Sequence, residues 1–263
     1  MPHHRFCSCA LGAAVIFSVT GLHAQHSAPP ATPPARVPFV GCASDGQMGP
    51  VDAPTGKDKY LRMPPETANR LAYYVAAHPK LGVLAPRGWH CLGVYGSDGA
   101  TLYVSPEPLD SKTVLSSKWT GLTGPAIQLS VLSAETSGRF AVARVVARAF
   151  PTAKSFVDGV INEHIEPASS FVFGPYPTDK LVYLDKEKQI VEFETPAQTE
   201  GLGTHSRLQK SALPIHGVAL LIAAEGGPLE ELILLDVRLP TDLSDLTPSI
   251  LLRLQRETAV AYN

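Results

Sequence analysis

The sequence predicts an α+β fold: a mostly antiparallel sheet built from hairpins, with three to four helices packed on it. Three observations carry that expectation. Apolar runs of strand length are joined by short turns rich in Gly, Ser and Asp. A few longer stretches place apolar residues at helical spacing. The helical crossovers that an all-parallel sheet requires between its strands do not recur. The 263 residues suffice for one large domain or two small ones, and the regular elements fall into one, over residues 39–263. With 17% charged residues and 24 prolines, a coiled coil, a long helical array and a charged disordered chain are all disfavoured. The 22 Lys and Arg do not exceed the 24 Asp and Glu, so no general hold on nucleic acid is implied.

Residues 1–24 read as a secretory signal, with Arg5 near the start, an apolar stretch over 9–22 and the small Ala24 before Gln25. That stretch is shorter than the ~20 residues of a spanning helix, and no basic stop sequence follows it. The expected mature product is periplasmic or secreted, cut near Ala24, with no transmembrane segment. Residues 25–38 carry Pro29, Pro30, Pro33, Pro34 and Pro38 among small residues, the composition of an extended linker that buries no core. Cleavage discards Cys7 and Cys9. Cys42 and Cys91 remain, and an even pair in an oxidising compartment reads as a disulfide. It would close a loop of about 50 residues, worth about 4 kcal/mol in the chain-entropy model.

The elements follow in order. Residues 41–55, rich in Gly, Asp, Ser and Pro, read as loop. Pro64, Pro65 and Glu66 open a helix expected to run through Ala77, with Leu71, Tyr74 and Val75 on one face and Pro79 ending it. Residues 89–95 and 101–105 flank Gly96-Ser97-Asp98-Gly99 as a hairpin, and 126–132 alternates Ile127, Leu129 and Val131 as a further strand. Ser137 and Gly138 precede a helix over 139–150 with an apolar stripe of Phe140, Val142, Val145, Val146 and Ala149, stopped by Pro151. A short helix is expected over 155–163. Hairpins are expected at 180–185 with 189–195 and at 215–224 with 229–239. A last helix, capped at Asp242 or Ser244, carries Leu246, Ile250, Leu251 and Leu254.

Chemistry is less legible. There is no G-x-S-x-G, H-E-x-x-H, phosphate-loop or S-x-x-K signature, and no cofactor or metal is expected. Asn162-Glu163-His164-Ile165-Glu166 is the densest group of ligand-type residues and reads as a solvated helix end. Two clusters suit ligand binding. Arg87, Trp89 and His90 adjoin Cys91, so a guanidinium that can clamp a carboxylate and an indole that can cover a ring would be backed by the disulfide. The plainer account of Trp89 is core packing beside that bridge. Gly201, Gly203, His205 and Arg207 lie in a long connecting loop whose glycines and cations suit an anion nest. Glu225, Glu230, Glu231 and Asp236 read as rim charges that blunt a sheet edge.

The segment Val37-Pro38-Phe39-Val40-Gly41-Cys42-Ala43-Ser44-Asp45-Gly46-Gln47, with VLAPRGWHCLGVYGSDGATLYVSP at 83–106, resembles a group of exported bacterial proteins with no assigned activity. The resemblance implies export and carries over no site residue. Two functions stay open at this level. One is a noncatalytic module that binds a small ligand or a cell-envelope component. The other is a hydrolase of unfamiliar type, in which a Ser or a carboxylate works with His90 or His205.

Overall fold

A computed structural model describes residues 33–78, 81–175, 177–199, 206–223 and 227–261. The signal, residues 25–32 of the linker, and Gly201, Gly203 and His205 lie outside the described residues. Thr32–Asn263 forms one unit. Its first elements are β1 (Pro34–Val37), β2 (Phe39–Cys42), β3 (Ser44–Gly46), β4 (Lys59–Arg62), α1 (Pro65–Arg70) and β5 (Leu71–Ala76). Next come β6 (Gly82–Pro86), β7 (His90–Gly96), β8 (Gly99–Ser105), α2 (Ser111–Val114), β9 (Ala126–Ser133), α3 (Arg139–Ala149) and α4 (Lys154–Asn162). The last are β10 (Lys180–Tyr183), β11 (Ile190–Thr195), β12 (Ile215–Ala223), β13 (Leu229–Arg238) and α5 (Thr247–Ala261).

Eight strands form one sheet in the order β10-β11-β12-β13-β9-β8-β7-β3; β2, β5 and β6 form a second, and β1 pairs with β4. The expected hairpins β7–β8, β10–β11 and β12–β13 are all present, because their turn residues sit between runs of β-branched and aromatic side chains. Most strand pairings are antiparallel, as expected, and the fold differs from the expectation in two details. The sheets are mixed: β3 runs parallel to β7, and β2 runs parallel to β5. Five helices are present among the described residues where three to four were expected; α3 and α4 pack in the core on one face of the large sheet and α5 in the core on the other. The Gly- and Ser-rich stretch read as loop supplies β3 and the last two residues of β2, because the free edges of β5 and β7 offer backbone groups that need partners.

The helix expected to run through Ala77 stops at Arg70. Residues 71–76 form β5 instead, buried at five of its six positions and flanked by β2 and β6. A short apolar run fits a buried strand and a buried helix equally well, so its neighbours decided. Pro34–Val37, at the end of the stretch read as linker, forms a strand with proline at its first position, where no ladder donor is required.

Alternation divides the core of the large sheet. Ile127 and Leu129 of β9, with Ile233, Leu235 and Val237 of β13, face the second sheet and Leu246, Ile250 and Leu254 of the α5 region. Leu132, Leu232 and Leu234 face Val142, Val145 and Val146 of α3 and Val157 and Val160 of α4. Each such fully buried aliphatic side chain contributes about 2 kcal/mol. No helix among the described residues is long and apolar enough to cross a membrane.

Cys42 and Cys91 form the expected disulfide, with Cα atoms 5.5 Å apart across a separation of 49 residues, and it joins the end of β2 to β7. Replacing both cysteines by Ser is expected to lower stability by about 3 kcal/mol, the chain-entropy value discounted for structure that the open chain retains. Urea unfolding of wild type and double variant measures this; a difference below about 1 kcal/mol would assign the brace to packing alone.

Candidate functional site

The face of the large sheet that meets α3 is polar at its centre. On β9 the residues alternating with Ile127 and Leu129 include Gln128 and Ser130, both fully buried. Opposite them on β8 stand Tyr103 and Thr101, and opposite Gln128 on β13 stands Asp236, two residues before Arg238. Asp236 and Arg238 are both 0% exposed. Polar groups in such a place need partners, and most have them. Thr101 Oγ1 and Ser130 Oγ lie 2.9 Å apart, Gln128 Nε2 donates to Ser130 Oγ at 3.0 Å, and Gln128 Oε1 accepts the Arg207 backbone N–H at 2.7 Å. Arg238 donates to three main-chain carbonyls: Gly124 at 2.8 Å, Gln209 at 2.5 Å and Leu122 at 2.6 Å.

These bonds tie two connections down onto the sheet, one between β8 and β9 and one between β11 and β12. The connections are also bonded to each other, Leu122 N–H to the Arg207 carbonyl at 2.7 Å and Gln209 N–H to the Leu122 carbonyl at 2.9 Å. Gly121 permits the approach. Its φ is +118°, and a Cβ there would stand 2.1 Å from the Arg207 carbonyl oxygen.

The two connections deliver Trp119 and Arg207 over Tyr103. The Tyr103 and Trp119 rings meet edge to face at 5.4 Å, and the Arg207 guanidinium lies 5.9 Å from the Trp119 ring centre. They line a cleft of about 310 Å³ together with Thr101, Asp98 and Ser116. Its rim is set by α2, whose start is capped by the Asp110 carboxylate accepting the Lys112 and Thr113 N–H groups at 3.0 and 3.2 Å. Burial raises the Tyr103 phenol above its usual value; the Arg207 charge opposes the rise and the Asp98 charge adds to it. At neutral pH Tyr103 is therefore an uncharged hydroxyl. Arg207 makes no ion pair with an acidic side chain among the described residues. The cleft thus offers an exposed planar cation, an aromatic wall and hydroxyls.

Asp236 is the exception to the satisfied frame. Neither of its oxygens reaches hydrogen-bonding geometry with a described group. Burial pushes its carboxyl up to about 7, against the opposing pull of the Ser206 hydroxyl and the Arg238 and Arg148 charges. Burial likewise lowers the Arg238 guanidinium, which the Asp236 charge offsets. Arg148 on α3 is bound in a fork by Asp179, at 2.7 and 2.5 Å. Asp236 is thus no rim charge: it lies in a central strand, while Glu230 and Glu231 near the start of β13 keep solvent contact.

Of the residues nominated from sequence, Arg207 enters this cleft. The Arg87 side chain donates to the Ala68 carbonyl at 3.2 Å and to the Leu71 carbonyl at 3.4 Å, at the end of α1. Trp89 packs against the core beside β5 and β6, and its backbone N–H donates to the Tyr74 hydroxyl at 3.1 Å. His90 is exposed at the start of β7, opposite Ser105, whose hydroxyl donates to the Glu107 carbonyl at 2.6 Å. Glu163 and Glu166 pair with Arg139 and Arg144. Among the described residues no group of three or more His, Cys, Asp or Glu is placed to hold a metal ion.

Sequence reasoning missed Tyr103, Trp119, Gln128 and Arg238. One signal was present for the last. In Leu-Ile-Leu-Leu-Asp-Val-Arg-Leu, two charges at strand spacing interrupt an otherwise fully apolar run, so both point to one buried face and require polar company there. No protein-family model, curated protein or solved structure matches the chain.

Proposed function

We propose that this protein is an exported, noncatalytic module that binds a small ligand in the cleft of Tyr103, Trp119 and Arg207. The ligand class that suits the cleft is a ring or other flat apolar body bearing one carboxylate. The observation that carries this reading is the meeting of Arg207 and Trp119 from two separate connections, at a place where a buried frame holds both backbones. Rigid backing lowers the ordering cost of binding, and an exposed guanidinium without an acidic partner among the described residues has donors to offer a planar oxyanion.

A thermal-shift screen of aromatic carboxylates against the oxidised protein tests the reading, because a ligand that binds only the folded state raises its melting temperature. Arg207→Gln is expected to weaken any hit by about 10- to 100-fold, and Trp119→Ala by at least about tenfold. Arg87→Ala, at the other nominated cation, is expected to leave binding unchanged. The opposite pattern, loss in Arg87→Ala and retention in Arg207→Gln, moves the site to the disulfide-backed platform and sinks this proposal.

A further inference from the structure

A second cleft of about 270 Å³ lies between β4 and α5, with Tyr60, Arg62, Ser249, Leu252, Arg253 and Arg256 on its walls. Helical geometry assembles one wall: Ser249, Leu252, Arg253 and Arg256 recur at spacings of three, four and seven, which puts them on one face of α5. The opposite face carries the core residues Ile250, Leu251 and Leu254. Strand geometry assembles the other wall. Tyr60 and Arg62 alternate with Leu61 and Met63, which are buried.

The charges in this cleft are not balanced. Glu257 is the acid nearest to hand, and both of its oxygens are engaged, one by Arg253 and the other by the Tyr73 hydroxyl at 2.7 Å. Arg62 and Arg256 have no ion pair among the described residues and are exposed. Arg253 retains a buried Nε–H with no acceptor. A protein with a formal net charge of −2 and fewer cations than anions has thus placed three arginines on the walls of one cleft, of which only Arg253 is paired with an acid. Tyr60, 69% exposed, and Leu252, 45% exposed, add an aromatic and an aliphatic surface to the same walls.

We infer that this cleft binds a soluble phosphate monoester, with the arginines holding its oxyanion and Tyr60 and Leu252 covering its organic group. Two unbalanced guanidiniums match a dianion better than the single charge of a carboxylate. The site is separate from the Arg207 cleft, so either can fail alone.

Phenyl phosphate is the probe, titrated by calorimetry into the full chain at constant ionic strength, with amide chemical shifts recorded alongside. Arg62→Gln with Arg256→Gln is expected to weaken binding at least tenfold, about 1.4 kcal/mol or more, while Arg207→Gln leaves it unchanged. Wild-type shifts should concentrate at 60–63 and 249–257. Arg62→Lys with Arg256→Lys keeps the charge but loses the fork, and should bind between the two. Equal affinity in wild type and the glutamine double variant, or wild-type shifts that fall outside 60–63 and 249–257, overturns the inference. So does binding confined to phosphatidylglycerol vesicles with none to phenyl phosphate.

Discussion

Arg238→Ala is expected to lower stability by about 5 kcal/mol, the upper range for removing a buried charge that hydrogen-bonds its surroundings. The side chain is fully buried, and its guanidinium serves the carbonyls of Gly124, Gln209 and Leu122. Truncation leaves three carbonyls without these donors, a void in a close-packed layer, and Asp236 without its neighbouring positive charge. The loss should not be uniform. The segments around Leu122 and Gln209 carry Trp119 and Arg207, so hydrogen exchange there should quicken more than in β12 or β13. Arg238→Lys keeps a charge yet offers no fork, and should recover less than half of the loss. Chemical unfolding with residue-resolved exchange measures both parts. A decrease below about 1 kcal/mol, or exchange that quickens equally everywhere, would show that Arg238 does not clamp the site.

Asp236→Asn is expected to act in the opposite direction, stabilising the protein by about 4 kcal/mol at pH 8. Its carboxyl is raised from 3.8 to about 7 in the folded chain, and one pKa unit is worth about 1.4 kcal/mol. Because the folded value lies above the unfolded one, the neutral acid's contribution is complete below about pH 4. It is lost as the pH rises through 7. The amide mimics the neutral acid and never ionises, so the two proteins should have similar stability at pH 4 and diverge up to pH 8. The exposed carboxylates Asp58, Glu163 and Asp245 are lowered and work the other way, but they are common to both proteins and cancel in the difference. Unfolding free energies of the pair at several pH values decide the matter; a difference that does not change with pH refutes the buried-carboxyl account.

These two residues show where sequence reading stops. In β9, Ile127, Leu129 and Val131 announce a strand with one apolar face, but Gln128 and Ser130 between them look like the solvent side of an ordinary amphipathic strand. They are instead the buried floor of the second face, because α3 and the two long connections cover it. Arg207 was legible as a cation in a functional loop, while Trp119, 88 residues earlier, carries no local sign that it shares a cleft with that cation. Likewise Leu71–Ala76 is apolar at nearly every position, and only its neighbours β2 and β6 make it a strand.

Local chemistry alone was sufficient for the hairpin turns, the long helix α3, the apolar face of β9 and the pairing of Cys42 with Cys91; it found α5 but not its start, since Asp242 and Ser244, expected as its cap, lie in a 3-10 turn over Thr241–Leu246 and α5 begins at Thr247. Each rests on neighbours in the chain or on the simple arithmetic of two sulfurs. The parallel seating of β2 and β3, the burial of Asp236 and Arg238, and the meeting of Arg207 with Tyr103 and Trp119 were decided by tertiary structure. They depend on which surfaces cover which, and a buried polar group takes its partners from whatever segment arrives above it, however far away that segment lies along the chain.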